Sequence, residues 1–257
     1  MKAMAIIQAR MNSTRLPGKV LLTIGDKTVL EYVVERVAQA KTIAKVIVAT
    51  TEKPEDSVIV NWAKKKGIDV YGGSEDDVLD RFYQAARQHN LQHIVRITAD
   101  CPLIDPDVID KIVEYYFKTG KDYCANILER SYPDGLDVEV FSFAALERAW
   151  KEAKLTSDRE HVTTYVRKHP DTFQLANVRN NKNLGDKRWT LDRPEDFEFI
   201  KAVITSVLKK NNRFRLADVL EVLAENPSLE KINQHITAGE GYAKSLVKDQ
   251  EMLKIKP

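Results

Sequence analysis

The chain has 257 residues, 43% hydrophobic and 30% charged, the make-up of a folded globular protein with room for a substantial core. With 40 basic residues against 38 acidic ones, the formal net charge is +2, too weak a field to draw in nucleic acid or a membrane surface. No apolar run is long enough to cross a bilayer, no leader pattern opens the chain, and Cys101 and Cys124 have neither metal nor redox spacing, so the expectation is a cytoplasmic protein with free thiols.

Residues 3–7 form an apolar run that reads as a buried first strand. The stretch that follows is Gln8-Ala9-Arg10-Met11-Asn12-Ser13-Thr14-Arg15-Leu16-Pro17-Gly18-Lys19. It carries three cations and no acid among loop-forming residues. Arginine offers phosphate a planar fork of donors, and lysine adds a mobile point charge. Backbone N–H groups of such a loop can add an anion nest. A solvated basic loop is the plain alternative. The position beside a strand end, where open α/β sheets bind ligands, favours the phosphate reading.

Thr28-Val29-Leu30-Glu31 reads as a capping box, and Val29, Leu30, Val33, Val34 and Val37 then make one apolar stripe. Residues 45–50 read as a second strand. Pro54 opens a helix to about Lys66, ended by Gly67. A short strand at 68–71, a turn at 72–74, a helix over 76–89 and a strand at 93–98 follow. That strand ends in Ala99-Asp100-Cys101-Pro102, and Asp105-Pro106 caps and starts a helix through Phe117. This alternation predicts a mostly parallel sheet covered by helices on both faces. Its strand ends would gather the Arg10–Lys19 loop, the 72–74 turn and Asp100.

After Gly120 the rhythm changes. Strands are expected at 123–127 and 136–142 around Tyr132-Pro133-Asp134-Gly135, helices at 144–153 and 158–168, and a strand at 173–178. Arg188-Trp189-Thr190-Leu191-Asp192 leads to a helix opened by Pro194 and running to about Leu208, with another at 216–225. The expectation is one domain over 1–257, with 131–178 as an inserted, protruding segment and 231–257 as a peripheral tail.

Two carboxylates could hold a metal. Asp100 ends a strand, where an Asx turn or local cap is the plain reading and a magnesium ligand the functional one. Asp192 lies just before a helix. Pro194 fits the first helical position, which places Arg193 at the cap and leaves Asp192 outside it, free to point elsewhere. In Ser74-Glu75-Asp76-Asp77-Val78-Leu79-Asp80-Arg81 the acids suit a helix dipole, and Arg81 could be a surface charge. Asp137 and Glu139 alternate with Leu136 and Val138 and so share a face. His161 is a lone helix histidine, a type more often structural than catalytic.

The twelve-residue loop closely resembles the nucleotide loop of the CMP-sugar synthetases, the Kdo and acylneuraminate cytidylyltransferases, and most of all their spore-coat polysaccharide (SpsF-type) branch. Thr98-Ala99-Asp100-Cys101-Pro102-Leu103-Ile104 and Leu191-Asp192-Arg193-Pro194-Glu195-Asp196-Phe197 resemble two further family segments, whose aspartates hold the metal. The resemblance covers about residues 1–208. It implies the nucleotide-diphospho-sugar transferase-like (GT-A type) three-layer sandwich, with residues 131–178 serving the dimer and the sugar site. It also implies a homodimer that joins CTP to a sugar, an acidic one, with Mg²⁺ on Asp100 and Asp192 and release of pyrophosphate. Arg10, Arg15 and Lys19 would neutralise the triphosphate. Gln8, Ala9, Asn12, Ser13, Ser74, Arg81 and Asp100 would line the nucleotide. Asp137, Glu139, Arg159 and His161 are the matching sugar-site candidates. Two alternatives stand beside this reading. One is a glycosyltransferase of the same fold; such enzymes usually show Asp-x-Asp at a strand end, whereas here the strand ends in Asp100-Cys101-Pro102 and Asp105-x-Asp107 sits at a helix start, which disfavours it. The other is a non-catalytic dimeric partner in a polysaccharide pathway.

Overall fold

The computed structural model describes residues 1–237 and 239–254. Its strands are β1 (Ala3–Gln8), β2 (Thr23–Ile24), β3 (Lys27–Thr28), β4 (Ile43–Thr51), β5 (Asp69–Gly73), β6 (His93–Thr98), β7 (Tyr123–Ala125), β8 (Glu139–Ser142) and β9 (Leu175–Asn177). The α-helices are α1 (Val29–Ala38), α2 (Ser57–Lys66), α3 (Val78–Gln88), α4 (Pro106–Thr119), α5 (Phe143–Glu152), α6 (Thr156–Glu160), α7 (Thr164–Lys168), α8 (Pro194–Leu208), α9 (Leu216–Glu225) and α10 (Glu240–Lys254). Seven strands make one sheet in the order β5-β4-β1-β6-β8-β7-β9, and β2 and β3 form a small hairpin. Strands β5, β4, β1 and β6 run parallel, β8 is antiparallel to both its neighbours, and β7 and β9 are parallel.

Side-chain alternation along β1 shows how the layers arise. Ala3, Ala5 and Ile7 face a core built with α1, α4, α8 and α9, whereas Ile6 faces a second core with α3 and α5. The sheet is therefore covered on both faces, as the strand–helix alternation predicts. β1 lies in the interior of the parallel half, between β4 and β6, so the loop leaving it opens at the carboxyl ends of its neighbours.

The second half departs from expectation in four ways. Residues 131–178 do not protrude as a unit, because β8 enters the sheet between β6 and β7 and β9 forms its edge. The expected strand at 136–142 shortens to Glu139–Ser142, since the Asn126 side chain takes up the backbone before it, donating to the Leu136 carbonyl at 2.7 Å and accepting from Val138 N at 2.9 Å. The single helix expected at 158–168 breaks into α6 and α7, with Val162 between them at φ 56°. Lastly, residues 231–257 hold the 15-residue helix α10, which packs on α6. Its anchoring residues, Ser245 and Asp249, are polar and buried, while Val247 and Leu253 are 54% and 58% exposed. An inward polar face gives no hydrophobic periodicity to read. The capping box at Thr28 is half formed: Thr28 Oγ1 accepts from Glu31 N at 3.2 Å, but the Glu31 carboxylate pairs with Lys66.

Candidate active site

The loop after β1 is built around Met11. Its carbonyl accepts from Ser13 N at 3.0 Å and Gly18 N at 2.9 Å, which folds the loop back on itself. Its N–H donates to Asp56 Oδ1 at 2.6 Å, and Asp56, 1% exposed, also accepts from the Thr51 hydroxyl. Gly18 then takes φ 69°, a left-handed turn natural to glycine, and starts the 3-10 turn Lys19–Leu21. That turn sends Lys19 inward, to 9% exposure.

Lys19 lies where two distant segments meet. Its Nζ donates to Asp100 Oδ2 at 2.6 Å, Asp192 Oδ1 at 2.9 Å and the Leu191 carbonyl at 2.8 Å. Asp100 and Asp192 are further joined through the backbone, where Leu191 N donates to the Asp100 carbonyl at 2.8 Å. Arg15 Nη2 reaches the same Asp192 Oδ1 at 2.7 Å. Thus the loop has no acid in its sequence, yet acids from elsewhere neutralise it in space. Burial alone would lower the pKa of the Lys19 ammonium; Asp100 and Asp192 more than offset this and raise it. Burial likewise opposes ionisation of Asp192, but Lys19 and Arg15 prevail and hold its carboxyl at about 2. Lys19 and Asp192 are therefore both charged at neutral pH.

Helix α8 begins as its sequence implies, with Arg193 at the cap and Pro194 in the first turn. Asp192 is left outside and turns to Lys19. The carboxylate that closes the helix start is Asp196, which is fully buried. Its Oδ2 accepts from Asp192 N at 2.9 Å and Arg193 N at 3.0 Å. Arg188 holds both Asp196 oxygens at 2.8 Å, and Asn233 adds a third donor. Asp196 therefore fixes where Asp192 points. Its signal was present in the sequence: proline at the first helical position and an acid two residues on.

Alongside runs the segment holding Gly135, at φ 116°. A Cβ there would stand 2.5 Å from the Trp189 carbonyl carbon, so only glycine permits this approach. It brings Asp134 to 3.8 Å from Arg188. Burial, then Asp137, pushes the Asp134 carboxyl up to about 6.

Other candidates fall into separate groups. Arg10 stands apart from Lys19, 3.8 Å from Glu75, which also accepts from Asn12 Nδ2 at 3.0 Å. Arg81 is no surface charge: it is 2% exposed and its Nη1 donates to the Ser74 carbonyl at 2.6 Å. Burial and the nearby Arg10 lower its guanidinium to about 10. The Ser74 hydroxyl accepts from Asp77 N at 3.0 Å, and that of Ser13 accepts from Leu16 N at 3.4 Å. Ala9 N donates to the Ala49 carbonyl at 3.0 Å, and Gln8 Oε1 accepts from Arg96 at 3.1 Å.

Of the four sugar-site candidates, Glu139 and His161 lie within reach of the same Arg96 charge, whereas Asp137 and Arg159 are held by other partners. Asp137 accepts both arms of Arg130, at 2.8 and 2.9 Å. Glu139 is 1% exposed and bound by Arg96, Tyr123 and Thr163. Arg159 grips Asp77, the cap of α3, and donates to the Trp150 carbonyl at 2.7 Å. His161 Nε2 meets Ser245 Oγ at 3.0 Å. Burial, then Arg96, lowers the His161 imidazole to about 4. Asp105 is 1% exposed and caps α4, accepting from Asp107 N and Val108 N, with its other oxygen on Leu216 N. Asp105-x-Asp107 is thus a helix start rather than a metal motif. Asp56, Glu75, Arg188, Asp196 and Glu240 were absent from the sequence-based set, and Asp56 and Glu240 carry no local signal that would have marked them.

Comparison with known proteins bears on the family and the fold. A family model described as cytidylyltransferase matches residues 4–230. An uncharacterised protein of Methanocaldococcus jannaschii is 40% identical over 243 residues, spanning 92% of this chain and 96% of its own. The spore coat polysaccharide biosynthesis protein SpsF of Bacillus subtilis is 32% identical over 238 residues, spanning 86% of this chain and 94% of its own. Among solved structures, a cytidylyltransferase from Leptospira borgpetersenii serovar Hardjo-bovis superposes with a TM-score of 0.85 at 36% identity, covering 93% of this chain and 100% of that one.

Proposed function

The chain belongs to the cytidylyltransferase family, and from that premise we propose that it transfers CMP from CTP to an acidic sugar for polysaccharide or surface-glycan synthesis. The sugar hydroxyl attacks the α-phosphorus and gives up its proton to solvent; a new O–P bond forms as the bond from the α-phosphorus to the α,β-bridging oxygen breaks and pyrophosphate leaves. One observation carries the reading. Lys19 draws Asp100 and Asp192, 92 residues apart in sequence, onto one point at the carboxyl edge of the sheet, with Arg15 attached. Arg15 and Lys19 answer the charge of the triphosphate and of the departing pyrophosphate, with Arg10 at the far end of the loop. Asp56 and the Met11 carbonyl hold the loop in shape, so its donors meet the nucleotide already oriented. The sugar class rests on the resemblance of the loop to that of the CMP-sugar synthetases.

Asp100 and Asp192 suit Mg²⁺. Both are hard oxygen donors, and their carboxylates already converge on a single cationic centre. Among the described residues no group of three or more His, Cys, Asp or Glu is placed to hold a metal. The protein thus offers two carboxylates and leaves the remaining positions to phosphate and water, the division magnesium favours. When bound there, Mg²⁺ supplies neutralisation of phosphate charge and fixes the α-phosphate for attack.

Among the described residues no helix is long and apolar enough to cross a membrane. A homodimer and a cytoplasmic location complete the reading, and light scattering tests the first. The deciding experiment measures pyrophosphate release from CTP and Mg²⁺ across a panel of 2-keto acid sugars. Release with one of them, lost on adding a chelator, is the expected result. Equal release from other nucleoside triphosphates, or none with any acidic sugar, would overturn the proposal.

A further inference from the structure

Helix α10 reaches back across the molecule to the nucleotide loop. Its first residue, Glu240, sets one carboxylate oxygen 2.7 Å from Arg193 Nη2 and the other 3.7 Å from Arg15 Nη1. Arg15 is the residue that also grips Asp192, so this carboxylate adjoins the Lys19 cluster. We propose that Arg15 and Arg193 form a fork for the diphosphate portion of the nucleotide and that Glu240 holds the fork until that diphosphate displaces it. The inference rests on the CTP-dependent reading above.

Three features of the structure support it. First, two guanidiniums converge on a single carboxylate. Each offers five N–H donors, and one carboxylate can engage only part of that set. Among the described residues Arg15 Nε and Arg193 Nε are both buried without an acceptor, so Glu240 leaves the fork under-satisfied. A diphosphate brings more oxygens and more charge to the same place, and arginine pairs suit it. Second, the fork is reachable, since the side chains of Arg193, Glu240 and Arg15 are 42%, 33% and 23% exposed. Third, α10 does not depend on Glu240 for its seat. Asp249 accepts from Ser157 N at 2.9 Å, and Ser245 donates to Glu160 at 2.7 Å, both within the body of the helix. The first turn can therefore let go while the rest stays docked. A sugar carboxylate is the competing occupant. It fits less well, because one guanidinium already satisfies a carboxylate.

The test is calorimetric titration of inorganic pyrophosphate into the full chain, with CMP as control. In Arg193→Ala, pyrophosphate binding should weaken about ten- to a hundredfold, the loss of one or two charge-assisted bonds, and CMP binding should hold. Arg193→Lys keeps the charge but not the fork, and should fall between. In Glu240→Gln, pyrophosphate should bind several-fold more tightly, because no carboxylate has to be displaced. Hydrogen exchange on the wild type should quicken in the first turn of α10 when pyrophosphate is added. Thermal melts confirm that each variant is folded. Unchanged pyrophosphate affinity in Arg193→Ala, or affinity unchanged or weakened in Glu240→Gln, would overturn the fork, as would unaltered exchange in α10. Loss of CTP binding by the wild type would instead overturn the cytidylyltransferase reading itself.

Discussion

Two clusters of buried charge lie on this sheet, and they differ in what they leave unused. Around Glu139, every acceptor is taken: one oxygen holds Arg96, and the other holds the hydroxyls of Tyr123 and Thr163. The group is 1% exposed. Burial would raise its carboxyl, but Arg96 and Arg167 hold it below the ordinary range. Around Lys19, by contrast, the Asp100 and Asp192 side chains are 23% and 22% exposed, and among the described residues Asp192 Oδ2 has only Arg188, at 3.5 Å. Both clusters combine carboxylates with cations, so charge alone does not tell them apart. Spare acceptor capacity within reach of a ligand does. The closed cluster ties β6, β7 and β8 together, and the open one can exchange partners with a substrate.

The comparison breaks first at Glu139. Replacing it by glutamine strands the Arg96 guanidinium in the interior, and breaking a buried pair in this way costs about 3–5 kcal/mol. Thermal unfolding of Glu139→Gln should fall by roughly ten degrees, at about 2–4 °C per kcal/mol for a chain of this size. The KM for CTP and for sugar should stay within about twofold, because Glu139 is 1% exposed and both its oxygens are taken up by protein donors. A stable variant with a raised sugar KM would move Glu139 into the sugar site. Asp100→Asn should behave in the opposite manner. The amide keeps the shape and can still accept from Lys19, so the melt should hold. Turnover should drop by on the order of 10²–10³, the scale of losing one preorganised electrostatic contact to the reacting group. Near-normal Mg²⁺-dependent turnover would remove Asp100 from the site.

How much of this was legible in the chain varies by element. β1, β6, α8 and α9 stand where apolar runs and Pro194 place them, because a buried parallel strand and a capped amphipathic helix announce themselves locally. The escape of Asp192 from the cap of α8 was readable for the same reason. Its convergence with Asp100 was not, since it depends on the Leu191–Asp100 backbone bond across the sheet edge. Likewise Glu139 and Asp137 alternate in register, yet one is sealed and the other is held by Arg130. Alternation gives the face and says nothing of what lies above it. Helix α10 was missed because buried Ser245 and Asp249 replace the apolar stripe that would have marked it.

Arg15 sharpens the comparison from the open side. On the proposed function Arg15 faces the outer phosphates, so in Arg15→Ala CTP affinity should weaken by roughly one to two orders of magnitude, about 1.5–3 kcal/mol. CMP lacks those phosphates, and its affinity should change little. Calorimetry with both nucleotides and Mg²⁺ separates the outcomes. Equal losses would mean that Arg15 supports the loop or meets the α-phosphate, and no loss would make it a surface charge.

The smallest effect belongs to pH and again divides the clusters. Burial, then Arg96, holds His161 at about 4 against an ordinary value of 6.5. The unfolded chain therefore binds the imidazole proton more readily between those values. Stability from this group is complete above pH 6.5 and is lost as pH falls towards 4. From pH 7 to pH 5 the loss should be about 1–2 kcal/mol, a few degrees in the melt. Asp134 acts in the opposite sense, because its carboxyl, raised to about 6, favours the folded state when protonated and weakens it as pH rises from about 4 towards 6. The wild-type profile alone would thus be nearly flat over this range. Comparison with His161→Asn isolates the histidine: the variant should lose its acid sensitivity above pH 5 and show the Asp134 slope uncovered. Asp192, held at about 2, contributes above the ordinary carboxylate range and gives way only below pH 4, so it stays outside the window. Melts of both proteins at half-unit steps from pH 5 to 7 read the difference directly. Parallel profiles would mean that His161 is as solvated in the folded chain as in the unfolded one, and that the closed cluster does not extend to it.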